Sequence, residues 1–365
     1  MFFNENFFTL ITINCTYDTN CCIIKSMIKL EIKENDANQR LDRFLKKLFK
    51  KASLSMIYKM IRKDVKVNGK RAKEDTLLVA GDELNLYMSE EKFAELSVTV
   101  KKKTVRKQFK TVYEDDNILI VSKPRGLIIH GDAHEKKNTL ANQVIGYLQE
   151  KGDFDPAAEK TFRPSPVNRL DRNTTGLVIF GKNAMALRLL TRLIRERNCI
   201  GKYYMTVVSG RFDESMVFGD RLVKDSSTNT VEIAEGEEGK DALTYVEPVV
   251  SGNDYSIVKI KLVTGRTHQI RVHLSHAGFP LLGDPKYGSV RGNSQAAKLG
   301  ISTQLLHAYR LDFNNMPEEL AYLEGKAVEA PLPSEFEKIR KSIIAQERHR
   351  NRKVRGGSYA ETEQQ

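Results

Sequence analysis

One carboxylate, Asp171, lies between two arginines in the run Asn168-Arg169-Leu170-Asp171-Arg172-Asn173-Thr174-Thr175-Gly176. A guanidinium is a planar fork of donors suited to phosphate, and a carboxylate held between two of them is available as a nucleophile or base. Taken alone, an Arg-x-Asp would read as a loop salt bridge. Two further segments add polar side chains of the right kind. Lys202-Tyr203-Tyr204 opens an apolar run, and the period of a strand sends the two tyrosines to opposite faces, so that one can turn into a cleft. Gly265-Arg266-Thr267-His268-Gln269-Ile270-Arg271-Val272-His273 reads as a strand end followed by a helix from about Thr267, a turn that presents Arg266 to a ligand. Together these residues suit acid–base or nucleophilic chemistry on a phosphate-bearing substrate. His268, His273 and His276 are spaced by five and three residues, without a His-Glu-x-x-His frame or a cysteine partner, so no metal is expected. No Walker lysine and no Gly-x-Gly-x-x-Gly is present, so no cofactor is expected either.

These segments need a scaffold. Strands are predicted at 118–122, 177–180, 203–208, 242–249 and 255–263. Helices are predicted where Leu140, Val144, Tyr147 and Leu148, and then Leu187, Leu190 and Ile194, share a face. Strands and helices do not alternate regularly, which predicts an α+β domain: a mixed, largely antiparallel sheet with flanking helices. Upstream, Leu41, Phe44, Leu45, Leu48 and Phe49 follow the pattern of an amphipathic helix. Ser53 can cap a second helix bearing Leu54, Ile57 and Ile61, and Asn68-Gly69 is a hairpin turn. This is a small amino-terminal α/β module with a dense basic face.

The formal charge of +12 favours a polyanionic partner, and residues 29–73 hold 15 Lys/Arg against 5 Asp/Glu. No apolar run is long enough to span a bilayer, so no membrane partner is expected. The four cysteines form no Cys-x-x-Cys pair, which fits a reducing cytoplasm. The expected organisation is a disordered extension over 1–27, an RNA-binding module over 28–89, a basic linker over 90–110, a catalytic domain over 111–341 and a basic disordered tail over 342–365.

From about 111 to 315 the chain resembles the RluA-type pseudouridine synthases. Their His-Arg-Leu-Asp-x-x-Thr-Ser-Gly signature is matched by Asn168–Gly176, with Asn168 and Thr175 as departures. Lys202-Tyr203-Tyr204, the run Gly265–His273, Gly283-Asp284-Pro285-Lys286-Tyr287-Gly288, Gly126-Leu-Ile-Ile-His130 and Leu306-His307-Ala308 also match. The first module is similar to the RNA-binding fold of the fourth ribosomal protein of the small subunit, through Gln39–Phe44, Ile61-Arg62-Lys63, Val67–Lys70 and Gly81-Asp82. The resemblance implies isomerisation of uridine to pseudouridine in RNA, with ribosomal RNA of the large subunit favoured over transfer RNA. It implies that Asp171 is the catalytic aspartate, Arg169 displaces the target base, Tyr204 lies against the uracil and Arg266 pairs with Asp171. Further RNA contacts are expected from Arg172, Lys202, His268 and Arg271, and from Arg40, Arg43, Arg62, Lys63 and Lys70 in the module. The protein is expected to act as a monomer. Two rivals remain open: an RNA-binding assembly factor without activity, and a glycosidic hydrolase using Asp284 as a second carboxylate.

Overall fold

The computed structural model of the protein describes residues 26–97, 105–225, 228 and 230–360, with backbone alone from 348. The extension expected over 1–27 lies outside the described residues except for its last two, as does the lysine cluster 101–103 of the expected linker. The chain divides into two compact units. The first comprises the described residues before 105 with Ile145–Pro164 and Lys182–Met185; the second comprises Val105–Val144, Ser165–Gly181 and the residues from Ala186 onward.

The first unit contains β1 (Met27–Glu31), β2 (Gln39–Arg40), α1 (Leu41–Leu48), α2 (Leu54–Asp64), β3 (Val65–Val67), β4 (Lys70–Arg71), β5 (Leu77–Leu78), β6 (Glu83–Tyr87) and α3 (Glu90–Leu96). An antiparallel sheet runs β1-β6-β3-β4, and β2 pairs with β5. Leu41, Phe44, Leu45 and Leu48 of α1 are buried together with Ile57, Met60 and Ile61 of α2. The Ser53 hydroxyl accepts the Met56 N–H at 3.2 Å and so starts α2. Asn68 and Gly69 both have positive φ, 49° and 74°, as the two-residue hairpin between β3 and β4 requires.

Two boundaries differ from expectation. Residues 90–96, expected as linker, form α3: Ser89 caps it, Leu96 is buried, and Phe93 packs edge-on to Phe49 at 5.4 Å. The surrounding charges hid a short helix with one apolar edge. Residues 145–164, expected inside the catalytic domain, belong to the first unit, where Asp36 Oδ1 accepts both the N–H (2.9 Å) and the hydroxyl (2.6 Å) of Thr161.

The chain continues through β7 (Lys110–Glu114), β8 (Ile118–Lys123), α4 (Leu140–Lys151), β9 (Ser165–Pro166), β10 (Thr175–Gly181), α5 (Ala184–Glu196), β11 (Ile200–Ser209), β12 (Met216–Asp225), β13 (Thr230–Ile233), β14 (Lys240–Val250) and β15 (Tyr255–Leu262). Then come α6 (Gln269–His276), α7 (Val290–Lys298), β16 (Leu306–Phe313), β17 (Ala327–Glu329) and α8 (Ser334–Ala360). The second unit is built on one sheet of order β13-β12-β14-β15-β11-β16-β10-β8-β7, with β17 beside β16 and β9 beside β10. Its pairings are antiparallel except β10–β16, a parallel seam of two register pairs, Thr175↔His307 and Gly176↔Ala308. Gly176 (φ 109°) is required there: a Cβ would stand 2.1 Å from the Ala308 carbonyl oxygen.

The tail also differs from expectation. From 342 the chain continues as helix to Ala360, because Phe336, Ile339 and Ile343 bury one stripe of α8 against Val207, Tyr255 and Ile257. Its charged composition is compatible with helix, and Glu337 faces Arg340 and Lys341 one turn on. No helix among the described residues is long and apolar enough to cross a membrane.

Candidate active site

Asp171 sits in the loop between β9 and β10, tightened by the Thr174 N–H donating to the Asp171 carbonyl at 3.1 Å. Asn168 ties the loop to its own strand. Its Oδ1 accepts the Ile179 N–H at 2.9 Å and its Nδ2 donates to the Leu177 carbonyl at 3.2 Å. Thr175 places its hydroxyl 2.7 Å from His307 Nδ1 across the seam. Both departures from the family signature are therefore occupied in holding the loop.

A third anchor was invisible to motif reasoning. Lys123, at the end of β8, is buried, and its ammonium donates to three carbonyls: Pro124 (3.0 Å), Leu127 (2.8 Å) and Arg172 (2.8 Å). Three N–H bonds and three acceptors match a charged lysine fully. Burial pulls its pKa down to about 7, opposed by the charge of Asp171. The only sequence signal was a lysine closing a mostly apolar strand.

The guanidinium that meets Asp171 belongs to Arg271. Its Nη1 donates to Asp171 Oδ2 at 3.0 Å, while Nε and Nη2 grip Asp284 at 2.7 and 2.8 Å. Burial works against the Arg271 charge, but Asp284 and Asp171 outweigh it and raise its pKa above the usual arginine value. Burial likewise pushes Asp284 up, and the bonds from Arg271 and two backbone N–H groups overcome it, for a net lowering. Arg266, expected as the partner of Asp171, instead donates from Nε to the Asp241 carbonyl at 3.0 Å. The helix begins at Gln269, behind a left-handed His268 (φ 53°), and Arg271 lies on its buried side.

Tyr204 lies on the buried face of β11, with burial first and the Asp171 charge second pushing its pKa well above the usual tyrosine value. Its phenol is therefore protonated at neutral pH. Tyr203 occupies the opposite face, beside Asp312. His268 brings Nε2 to 3.9 Å from Asp171 Oδ2 and Nδ1 to 2.9 Å from the Tyr287 hydroxyl. Burial lowers its pKa against the pull of Asp171.

The other expected contacts divide. Arg169 is exposed on the Asp171 loop, and Arg172 is exposed and paired with Asp132 at 2.8 Å. Arg40, Arg43, Arg62, Lys63 and Lys70 are all exposed. Lys202 and Arg271 are buried and bound within the protein, Lys202 to the Val263 carbonyl at 3.3 Å, so neither is the RNA-facing cation expected of it. Both sit on the inner faces of regular elements, which a charge count does not reveal. Among the described residues no group of three or more His, Cys, Asp or Glu is arranged to hold a metal ion. Asp284, wholly buried and neutralised by Arg271, is not a free second carboxylate for glycosidic hydrolysis.

Residues 117–276 match the family model described as RNA pseudouridylate synthase. The chain is 31% identical over 319 residues to the ribosomal large subunit pseudouridine synthase C of Vibrio vulnificus, covering 86% of this chain and 96% of that one. It belongs to the RNA pseudouridylate synthase family, in its RluA branch. A protein of the same description from Pasteurella multocida is 32% identical over 330 residues, covering 87% and 94% of the two chains. Among solved structures, human RNA pseudouridylate synthase domain containing 1 is 25% identical with a TM-score of 0.49, over 62% of this chain and 84% of that one.

Proposed function

We propose that this pseudouridine synthase acts on uridines of large-subunit ribosomal RNA, with Asp171 as its reacting carboxylate. The observation that carries the assignment is the site itself: one partly exposed carboxylate, backed by the buried guanidinium of Arg271, with the ring of Tyr204 close enough to feel its charge. Relatives named for ribosomal large-subunit RNA support the substrate.

The reaction breaks the bond from ribose C1′ to uracil N1, turns the base, and joins C5 to C1′. The proton lost from C5 is balanced by one gained at N1, so nothing is consumed. The target nucleotide must leave its stack, at a cost of about a few kcal/mol. Arg169, exposed on the same loop as Asp171, can fill the vacated space. Asp171 attacks C1′ or removes the 2′ proton, and in both routes Arg271 supplies the counter-charge. Tyr204, held protonated, offers a ring face to the uracil and a hydroxyl near C5. The exposed cations of the first unit contact phosphates. The same reading has the protein acting as a monomer in the cytoplasm.

Asp171→Asn keeps the shape and removes the charge. It is expected to cut pseudouridine formation by more than about 10³-fold while RNA binding persists. The measurement is pseudouridine mapping on unmodified ribosomal and transfer RNA incubated with wild type and variant. Product confined to transfer RNA would overturn the substrate, and an active Asp171→Asn would overturn the mechanism.

A further inference from the structure

Resting on the activity proposed above, we propose that the turn Asp284–Tyr287 is the positioning template for Asp171. Asp284 acts through Arg271, and Tyr287 acts through His268. Asp284 has no solvent exposure, and both of its oxygens are engaged. Oδ2 takes Arg271 Nε at 2.7 Å; Oδ1 takes Arg271 Nη2 at 2.8 Å and the backbone N–H groups of Lys286 (2.9 Å) and Tyr287 (3.1 Å). A bidentate grip fixes the plane of a guanidinium as well as its position. The one nitrogen left over, Nη1, is then fixed with that plane, and it donates to Asp171 Oδ2 at 3.0 Å.

The second arm begins three residues later. The Tyr287 oxygen accepts the Val231 N–H at 2.8 Å and lies 2.9 Å from His268 Nδ1, to which we assign the hydroxyl proton. That assignment leaves the neutral ring with its proton on Nε2, facing Asp171 Oδ2 at 3.9 Å. A small approach of the carboxylate would complete a hydrogen bond. The Tyr287 ring also lies 5.0 Å from the Arg271 guanidinium carbon, so the two arms brace each other. The turn is tight: a Cβ at Gly288 would stand 2.2 Å from the Asp284 carbonyl oxygen.

Asp284 and Tyr287 touch no substrate in this scheme, so their loss should appear in the rate of chemistry and not in RNA affinity. Under single-turnover conditions Asp284→Asn is expected to slow conversion roughly 100-fold, as a misplaced reacting group does, with RNA affinity changed less than about threefold. In an Arg271→Lys background, where the fork is gone, the same substitution should cost less than about threefold, because residues acting as one unit are not additive. Tyr287→Phe, which deletes one oxygen, should cost roughly tenfold. An Asp284→Asn rate within threefold of wild type, or full additivity in the double variant, overturns the inference. Should Asp284→Asn not fold, a Tyr287→Phe rate equal to wild type overturns it. Wild-type enzyme assayed in parallel separates this outcome from failure of the proposed activity.

Discussion

Cations serve opposite ends in the two units. On α1, α2 and the β3–β4 hairpin they stand outside an apolar core: Arg43, Arg62, Lys63 and Lys70 are exposed while Leu41, Phe44, Ile57 and Ile61 are buried. Beneath the Asp171 loop, whose own Arg169 and Arg172 are exposed, two cations lie inside: Lys123 and Arg271 are buried and bonded to protein oxygens. An exposed cation keeps its hydration and acts at a distance on any polyanion, weakening as salt rises. A buried one is tolerated only when paired, so it fixes one geometry and contributes little to long-range attraction. The net charge of +12 adds both kinds together and describes neither.

The largest effect is expected from Lys123→Met, which leaves three carbonyls without their donor. Stability should fall by about 3 kcal/mol in chemical denaturation, and the rate should fall too because the Asp171 loop loses an anchor. Unchanged stability would mean that the interior cation is dispensable. Next, Tyr204→Phe should slow single-turnover conversion roughly 100-fold with the melting temperature preserved, whereas Tyr203→Phe should leave the rate near wild type. A reversed pair would place the working ring on the other face of β11. The smallest effect on chemistry is expected outside. Replacing Arg62, Lys63 and Lys70 by alanine should weaken RNA binding and reduce the slope of log affinity against log salt by about 0.7 per lost phosphate contact. Turnover at saturating RNA should not change. A loss of turnover there would mean that the exposed cations also serve the chemistry.

Much of this was legible in the sequence where the physics is local. The period of α1, the cap at Ser53 and the Asn68-Gly69 turn follow from spacing and backbone preference, and the structure reproduces them. The loop around Asp171 was legible as a motif. What failed depended on where an element begins or what lies across from it. Arg266 and Arg271 stand in one short run, Arg266 before the left-handed residue at 268 and Arg271 on the helix after it, and it is Arg271 that reaches Asp171. Lys202, expected to contact RNA, and Asp284, open as a second carboxylate, take their places only once their partners are known: Lys202 donates to the Val263 carbonyl and Asp284 accepts from Arg271, just as Lys123 donates to the carbonyl of Arg172. The helices at 90–96 and beyond 342 were obscured by charge, since a few buried side chains are enough to anchor a helix whose other faces are polar.

The parallel seam gives the molecule a fault line. On one side stand β7, β8 and β10 with the Asp171 loop; on the other stand β16 and β11 with Tyr204. The two groups proposed to meet one uracil are thus carried on opposite sides of a seam of two residue pairs, whose close approach depends on the bare α-carbon of residue 176. Even a methyl group at that position would act as a wedge, prising carboxylate from phenol while leaving both side chains chemically intact.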